Sequence, residues 1–403
     1  MSLHRKQLSL VILTTLLAAL PVSSQSNKSP PTQVWIDVAT HDFSGMPDMG
    51  PMGNLAMGVF GGGRKGNNAY GLTRYTGAPG KYMDVAVWNS LNPGVAAQQD
   101  IPGVLKMGKS LKLLSYKPSS QPEGSDAEMK DFKTRILIYW GCANAIRKGQ
   151  PRVIEVSSKD GKVKASGAFE GRYVPDRTVK ITPNHVTWPN EKNRQNVPSG
   201  ASLIGDHAFV GAGIPASLKF AIQNAQDFMP KIQLSSSGSV EDGMLWRWQP
   251  VTQARGYFLH AVGQKGDATI FWSSSELAEA GQGILDYLPN ATVDKWTKER
   301  IIMNPQTTSC AMPKGIFEPA TEASPGGGML RMIAFGPEAH IVYPPKPDDA
   351  KTPWNPEWNV RIRVKSTAFA PIGMNMGEQD EPQEEGEGKK SNKKNILQGI
   401  FGG

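Results

Sequence analysis

Short apolar runs, many of them β-branched or aromatic, recur along this chain and are closed by Gly, Pro, Asn or Asp, which leaves it few folds to choose from. They fall at residues 33–40, 81–89, 135–141, 151–158, 162–174, 177–182, 256–263, 268–276, 328–336, 339–345 and 359–367. Several alternate with polar residues. Side chains of a strand point to opposite faces in turn, so a period of two suits an extended segment with one side on a core. In residues 360–365, Val360, Ile362 and Val364 share one face and Arg361, Arg363 and Lys365 the other, which predicts a strand whose basic side lies in water. Helical periodicity is confined to residues 216–227, 275–280 and 293–303, the last with Asn290 or Thr292 as cap. The expected fold is mainly β, with two β-sandwich-like domains, a few short helices and a disordered tail.

The beginning of the chain sets an expected address. His4, Arg5 and Lys6 precede an apolar run from Leu8 to Leu20, and Val22, Ser23 and Ser24 offer small residues for cleavage, the pattern of a signal peptide over residues 1–24. Export to the periplasm or the extracellular space follows as an expectation. No Cys follows the run to carry a lipid, and no later stretch reaches the ~18 apolar residues that a transmembrane helix needs. What remains exceeds the ~100–200 residues of one domain. We expect an N-terminal β domain over residues 25–232, with a Gly- and Met-rich loop at 44–74, and a C-terminal β domain over 233–372 behind a Ser-rich seam. Residues 373–403 form a charged tail in which a block of Glu and Asp precedes a block of Lys.

The formal net charge is +8, of which the leader's Arg5 and Lys6 supply two, and the positive residues are scattered rather than gathered into a stripe. That distribution argues against a nucleic-acid partner. The chain has two cysteines, Cys142 and Cys310. In an oxidising compartment an isolated pair is expected to bridge; the alternative is a pair of buried thiols packing as small hydrophobes.

Few residues suggest chemistry. Gly103, Gly108, Lys109 and Ser110 satisfy the spacing of a phosphate-binding loop, but such a loop follows a buried strand and opens a helix, whereas residues 111–118 read as a strand ending at Pro118. The match is taken as coincidence. Met46, Met49 and Met52 stand three apart with His41 upstream, and soft thioethers select Cu(I). Over this short stretch the spacing resembles methionine motifs of exported copper-handling proteins. Methionines also fill irregular gaps, which is the preferred reading here, with copper as the alternative. Asp206 beside His207 reads as a loop contact, and paired carboxylates of a hydrolase acting on envelope polymer cannot be named from sequence spacing. Trp354 and Trp358 lie in a Pro-rich stretch where a sugar or a Pro-rich peptide would find two indoles to stack on.

Trp246, Trp248, Pro250, Gly256 and Tyr257 follow one another in a way that is similar to the second and third strands of fibronectin type III and Ig-like sandwiches. The resemblance covers residues 246–259 and implies fold alone: Trp246 or Trp248 in a core and Tyr257 on the opposite strand. The chain as a whole looks like exported bacterial proteins, a resemblance that implies no activity. The expected function is therefore a non-enzymatic exported envelope protein that binds or scaffolds a protein or polysaccharide partner, with no resident cofactor. Periplasmic Cu(I) handling through His41, Met46, Met49 and Met52 is one alternative. Envelope-polymer hydrolysis is the other.

Overall fold

The computed structural model describes residues 29–44, 69–74, 78–117, 131–319 apart from 161, 168, 170, 173 and 176, 327–349 and 351–373. The expected signal peptide, Met46, Met49 and Met52, and all of the expected tail beyond residue 373 lie outside the described residues. Strand accounts for 47% and helix for 6%, so the protein is mainly β, as expected.

The strands, in chain order, are β1 (Thr32–Phe43), β2 (Gly80–Asn89), β3 (Ala97–Asp100), β4 (Ser110–Ser115), β5 (Phe132–Trp140), β6 (Arg152–Lys159), β7 (Lys162–Ser166), β8 (His185–Trp188), β9 (Gly205–Gly211), β10 (Lys219–Ile222), β11 (Leu234–Ser239), β12 (Gly243–Trp248), β13 (Gly256–Lys265), β14 (Ala268–Ser273), β15 (Ser309–Met312), β16 (Gly328–Tyr343) and β17 (Trp358–Ile372). Among the described residues one α-helix, α1 (Asn290–Lys298), precedes β15. Fourteen strands form one large open sheet in the order β10-β9-β3-β4-β8-β2-β1-β17-β16-β13-β14-β5-β6-β7, and β11-β12-β15 form a small one. Strands from both ends of the chain meet at its centre, where β1 lies between β2 and β17 and runs parallel to β17.

Register explains the first core. Val34, Ile36 and Val38 stand opposite Val360, Ile362 and Val364 on β17 and opposite Val87, Val85 and Met83 on β2. All are buried and belong to one apolar cluster with Trp246, Trp248 and Leu234 of the small sheet and with Trp272. A second cluster gathers Phe258, Ile333 and Phe335 under Val293 and Trp296 of α1 and under Ile284 and Leu288.

Cys142 and Cys310 lie at disulfide distance, with Cα atoms 5.0 Å apart, joining the stretch after β5 to the small sheet. Cys310 stands opposite Trp246 on β12, which puts the bridge at the rim of the main core.

The helix expectations fared unevenly. Residues 290–298 are helical, but residues 216–227 hold β10 and a single 3-10 turn, because Phe220 and Ile222 are buried while Lys219 and Ala221 are exposed, a period of two. Residues 275–280 form no helix. The stretch after the glycine-rich spacing at Gly103 is β4, so no helix N-terminus is present there to hold phosphate.

Candidate functional site

The strand β17 alternates as its sequence predicts, but its basic side is not in water: Arg361, Arg363 and Lys365 are 9%, 3% and 1% exposed. This overturns the expected solvent-facing side. The reason is tertiary, since residues 70–74, Val174, Pro175, Arg177 and Thr178, and residues 284–288 pass over that face.

Register across four strands sets the charges. Asp37 on β1 stands opposite Asp84 on β2 and Arg363 on β17, and Arg363 stands opposite Glu338 on β16, just beyond a bulge. Arg363 donates side-on to Asp37, from Nε at 2.7 Å and from Nη2 at 2.5 Å. Burial pulls the Arg363 pKa down, but the carboxylate of Asp37 outweighs it and holds the guanidinium above its usual value. Two residues along, Lys365 donates to Asp286 Oδ1 at 2.7 Å, and Arg74 donates to Oδ2 at 2.6 Å. Burial pushes the Asp286 carboxyl up, yet Lys365 and Arg74 bring it to about 2. Burial brings Lys365 down to about 8 against the pull of Asp286. The ring of Tyr287 sits 4.5 Å from Arg363 and 4.2 Å from Lys365, and its hydroxyl donates to the Val38 carbonyl at 2.9 Å. A ring face against two desolvated cations is an attractive contact.

Asp84 is the other unusual group. It accepts from Gly71 N–H at 3.0 Å and from the Thr73 hydroxyl at 2.5 Å, so the end of the expected excursion at 44–74 is folded onto the sheet. Burial pushes its pKa from 3.8 to about 7, against those hydrogen bonds and helped by Asp37. The folded protein therefore keeps a proton that the unfolded chain releases above about pH 4, and this group's stabilisation is lost as pH rises towards 7. His41 and His260, brought by burial to about 3 and about 4, act in the opposite sense over an overlapping range. Chemical denaturation between pH 4 and 7 should show stability falling less with rising pH in Asp84→Asn than in the unaltered protein; identical pH slopes would mean that Asp84 is ionised throughout.

The neighbouring arginines are less well served. Arg361 donates from Nη1 to the Arg177 carbonyl at 2.7 Å, while its Nε and Nη2 are sealed from solvent and have no partner among the described residues. Arg331 on β16 has Nε and Nη2 in the same state, and its one contact of note is the Phe369 ring at 5.5 Å. Burial lowers its pKa, with Asp286 opposing. Arg331, Arg363, Arg74 and Arg177 line a pocket of about 320 Å3 together with Val174, Pro175, Leu285 and Leu288. Arg177 is held by Glu338 at 2.9 Å. Arg331 thus meets the pocket as a cation without a carboxylate of its own.

The residues singled out from sequence lie elsewhere or outside the described residues. His41 is buried on β1, its Nδ1 2.6 Å from the Thr367 hydroxyl and its Nε2 3.1 Å from the Leu72 carbonyl, so both ring nitrogens are occupied by protein. Its methionine neighbours lie outside the described residues, and among the described residues no group of three or more His, Cys, Asp or Glu is placed to hold a metal. Trp358 is 2% exposed and stacks on Tyr343 at 5.5 Å, so its indole faces are taken by the core; Trp354 is half-buried and donates to the Pro344 carbonyl at 2.9 Å. His207 is buried between Gln99 and the Leu203 carbonyl, and Asp206 points to the other side of β9. Asp37 and Asp84 are adjacent carboxylates, but each is saturated by protein partners and neither lines the pocket.

Sequence reasoning missed the basic pocket. The available signal was a lone Asp inside each of two apolar runs, Asp37 and Asp84, because an acid in a buried strand needs a partner from a neighbouring strand. No family model, curated protein or solved structure matches the chain.

Proposed function

We propose that this is a non-enzymatic exported protein of the cell envelope, periplasmic or extracellular, that binds a partner through an anionic group seated in the arginine-lined pocket. One observation carries the reading: half-buried Arg331 lines that pocket, and its Nε and Nη2 have no partner among the described residues. A half-buried charge left without a carboxylate is incompletely solvated, and an anion entering the pocket would offset that cost. Support for the export half comes from the leader-like residues 1–24 and from a cysteine pair at disulfide distance. No helix among the described residues is long and apolar enough to cross a membrane.

The same reading takes the chain as two β-sandwich-like units, the second of fibronectin type III or Ig-like character. Trp246 and Trp248 are buried, the Trp248 ring lies edge-on to Tyr257 at 5.6 Å, and the Tyr257 hydroxyl accepts from Val251 N–H at 2.9 Å. These contacts support the resemblance.

Melting temperatures in acetate, nitrate and sulfate at constant ionic strength test the pocket, because a ligand that binds only the folded state raises stability with its concentration. The expected result is stabilisation by at least one anion that disappears in Arg331→Gln. Salts also act through the bulk solvent, so equal responses of the two proteins would remove the proposal. Without added anion, Arg331→Met should unfold at the same or a higher temperature, since it deletes a half-buried cation two of whose nitrogens have no partner among the described residues.

A further inference from the structure

We infer that the anionic group is a carboxylate on a small apolar body, a short aliphatic or aromatic monocarboxylic acid, and this rests on the reading of the pocket as an anion site. Three features favour that class over phosphate, sulfate or a charged polymer. The first is the mixed lining: arginines, Arg331 among them, share the pocket with Val174, Leu285 and Leu288, so an occupant is best matched when it carries both a charged group and an apolar body. The second is Asp286, a carboxylate in the same wall, held ionised by Lys365 and Arg74 at 2.7 and 2.6 Å. A second negative charge on the occupant would meet it directly, which disfavours dianions. The third is precedent on the same sheet face, where Arg363 takes the carboxylate of Asp37 side-on through two hydrogen bonds. A planar guanidinium matches a carboxylate in that geometry.

Size sets the scale. A volume of about 320 Å3 lies at the small end of the ~300–1,000 Å3 of ligand pockets. A medium-chain acid such as octanoate is a probe suited to a pocket of that class.

The test is calorimetric titration of the full exported chain with octanoate, octanamide and inorganic phosphate. Octanoate should bind, with octanamide and phosphate each about tenfold or more weaker, and Arg331→Gln should weaken octanoate by roughly tenfold to a hundredfold, the range for a hydrogen bond to a charged group. A second variant, Val174→Asp, adds a carboxylate to the pocket wall from a half-buried loop position and should abolish octanoate binding with little change in melting temperature. Equal, Arg331-dependent binding of phosphate and octanoate would overturn the monocarboxylate assignment and leave the anion pocket standing. Equal binding of octanoate and octanamide, indifferent to Arg331, would overturn it as well. Absence of octanoate binding removes this inference alone, since the anion reading is judged by its own Arg331-dependent stabilisation in acetate, nitrate or sulfate.

Discussion

Replacing Asp37 by Ala is expected to destabilise the fold by about 3–5 kcal/mol, the range for breaking a buried ion pair by removing one partner. Asp37 and Arg363 are 5% and 3% exposed and share two hydrogen bonds. Truncation leaves the guanidinium buried against Tyr287, with a 3.4 Å hydrogen bond to the Thr178 hydroxyl remaining among the described residues. The comparison that isolates the mechanism is the double variant Asp37→Ala with Arg363→Met, which removes both charges and should recover much of the loss, because exchanging a buried pair for apolar groups is often close to neutral. Urea unfolding of the three proteins measures this. A single variant as stable as the starting protein would mean that water reaches the pair and that the face is not closed. An equally damaged double variant would shift the cause from charge to packing around Tyr287.

Reduction of the Cys142–Cys310 bridge has the other large expected effect. The cysteines are 168 residues apart in sequence, and closing a loop of that length is worth roughly 5 kcal/mol in the chain-entropy model. Because Cys310 stands opposite Trp246 at the edge of the main core, reduction also frees the small sheet from the stretch after β5. Urea midpoints with and without reductant, beside Cys142→Ser, should show the same large drop. Thiol labelling of the denatured, unreduced protein should find neither cysteine. Labelling of both would remove the bridge, and an unchanged midpoint would mean that the small sheet is held by packing alone.

The two predictions differ in how far the residues behind them were legible. The cysteine pair needed little more than count and the expected compartment, since two thiols in a chain expected to be exported have one possible intramolecular partner each. The strand character of residues 33–40 and 359–367 was legible from period alone, and so was the separation of Val360, Ile362 and Val364 from Arg361, Arg363 and Lys365. Period says that two faces differ. It does not say which of them is covered, and the basic face was expected in water because charged residues are rarely buried without partners.

Tertiary structure supplied the partners. The pairing of β1 with β17 joins Asp37 to Arg363 across 326 residues, and the stretches carrying Thr73 and Tyr287 close over the pair. Register of that kind depends on which strands meet and in what direction, a choice settled by burial of the apolar face on the other side rather than by either strand's own residues. The helix expected at 216–227 failed for the same reason: Phe220 and Ile222 belong to a strand because β9 offers them an edge and the main core takes their side chains. Arg331 could not be singled out by sequence at all. Its neighbours on β16 mark it as a strand residue, and only the meeting of β13, β16 and β17 under the 284–288 stretch leaves it half-buried at a pocket without a carboxylate of its own. What the sequence determined by itself was strand content, strand faces and the cysteine pair, because those depend on local period and composition. What the tertiary structure decided was the covered basic face and its unpaired charge, because pairing and solvent exclusion are properties of residues hundreds of positions apart.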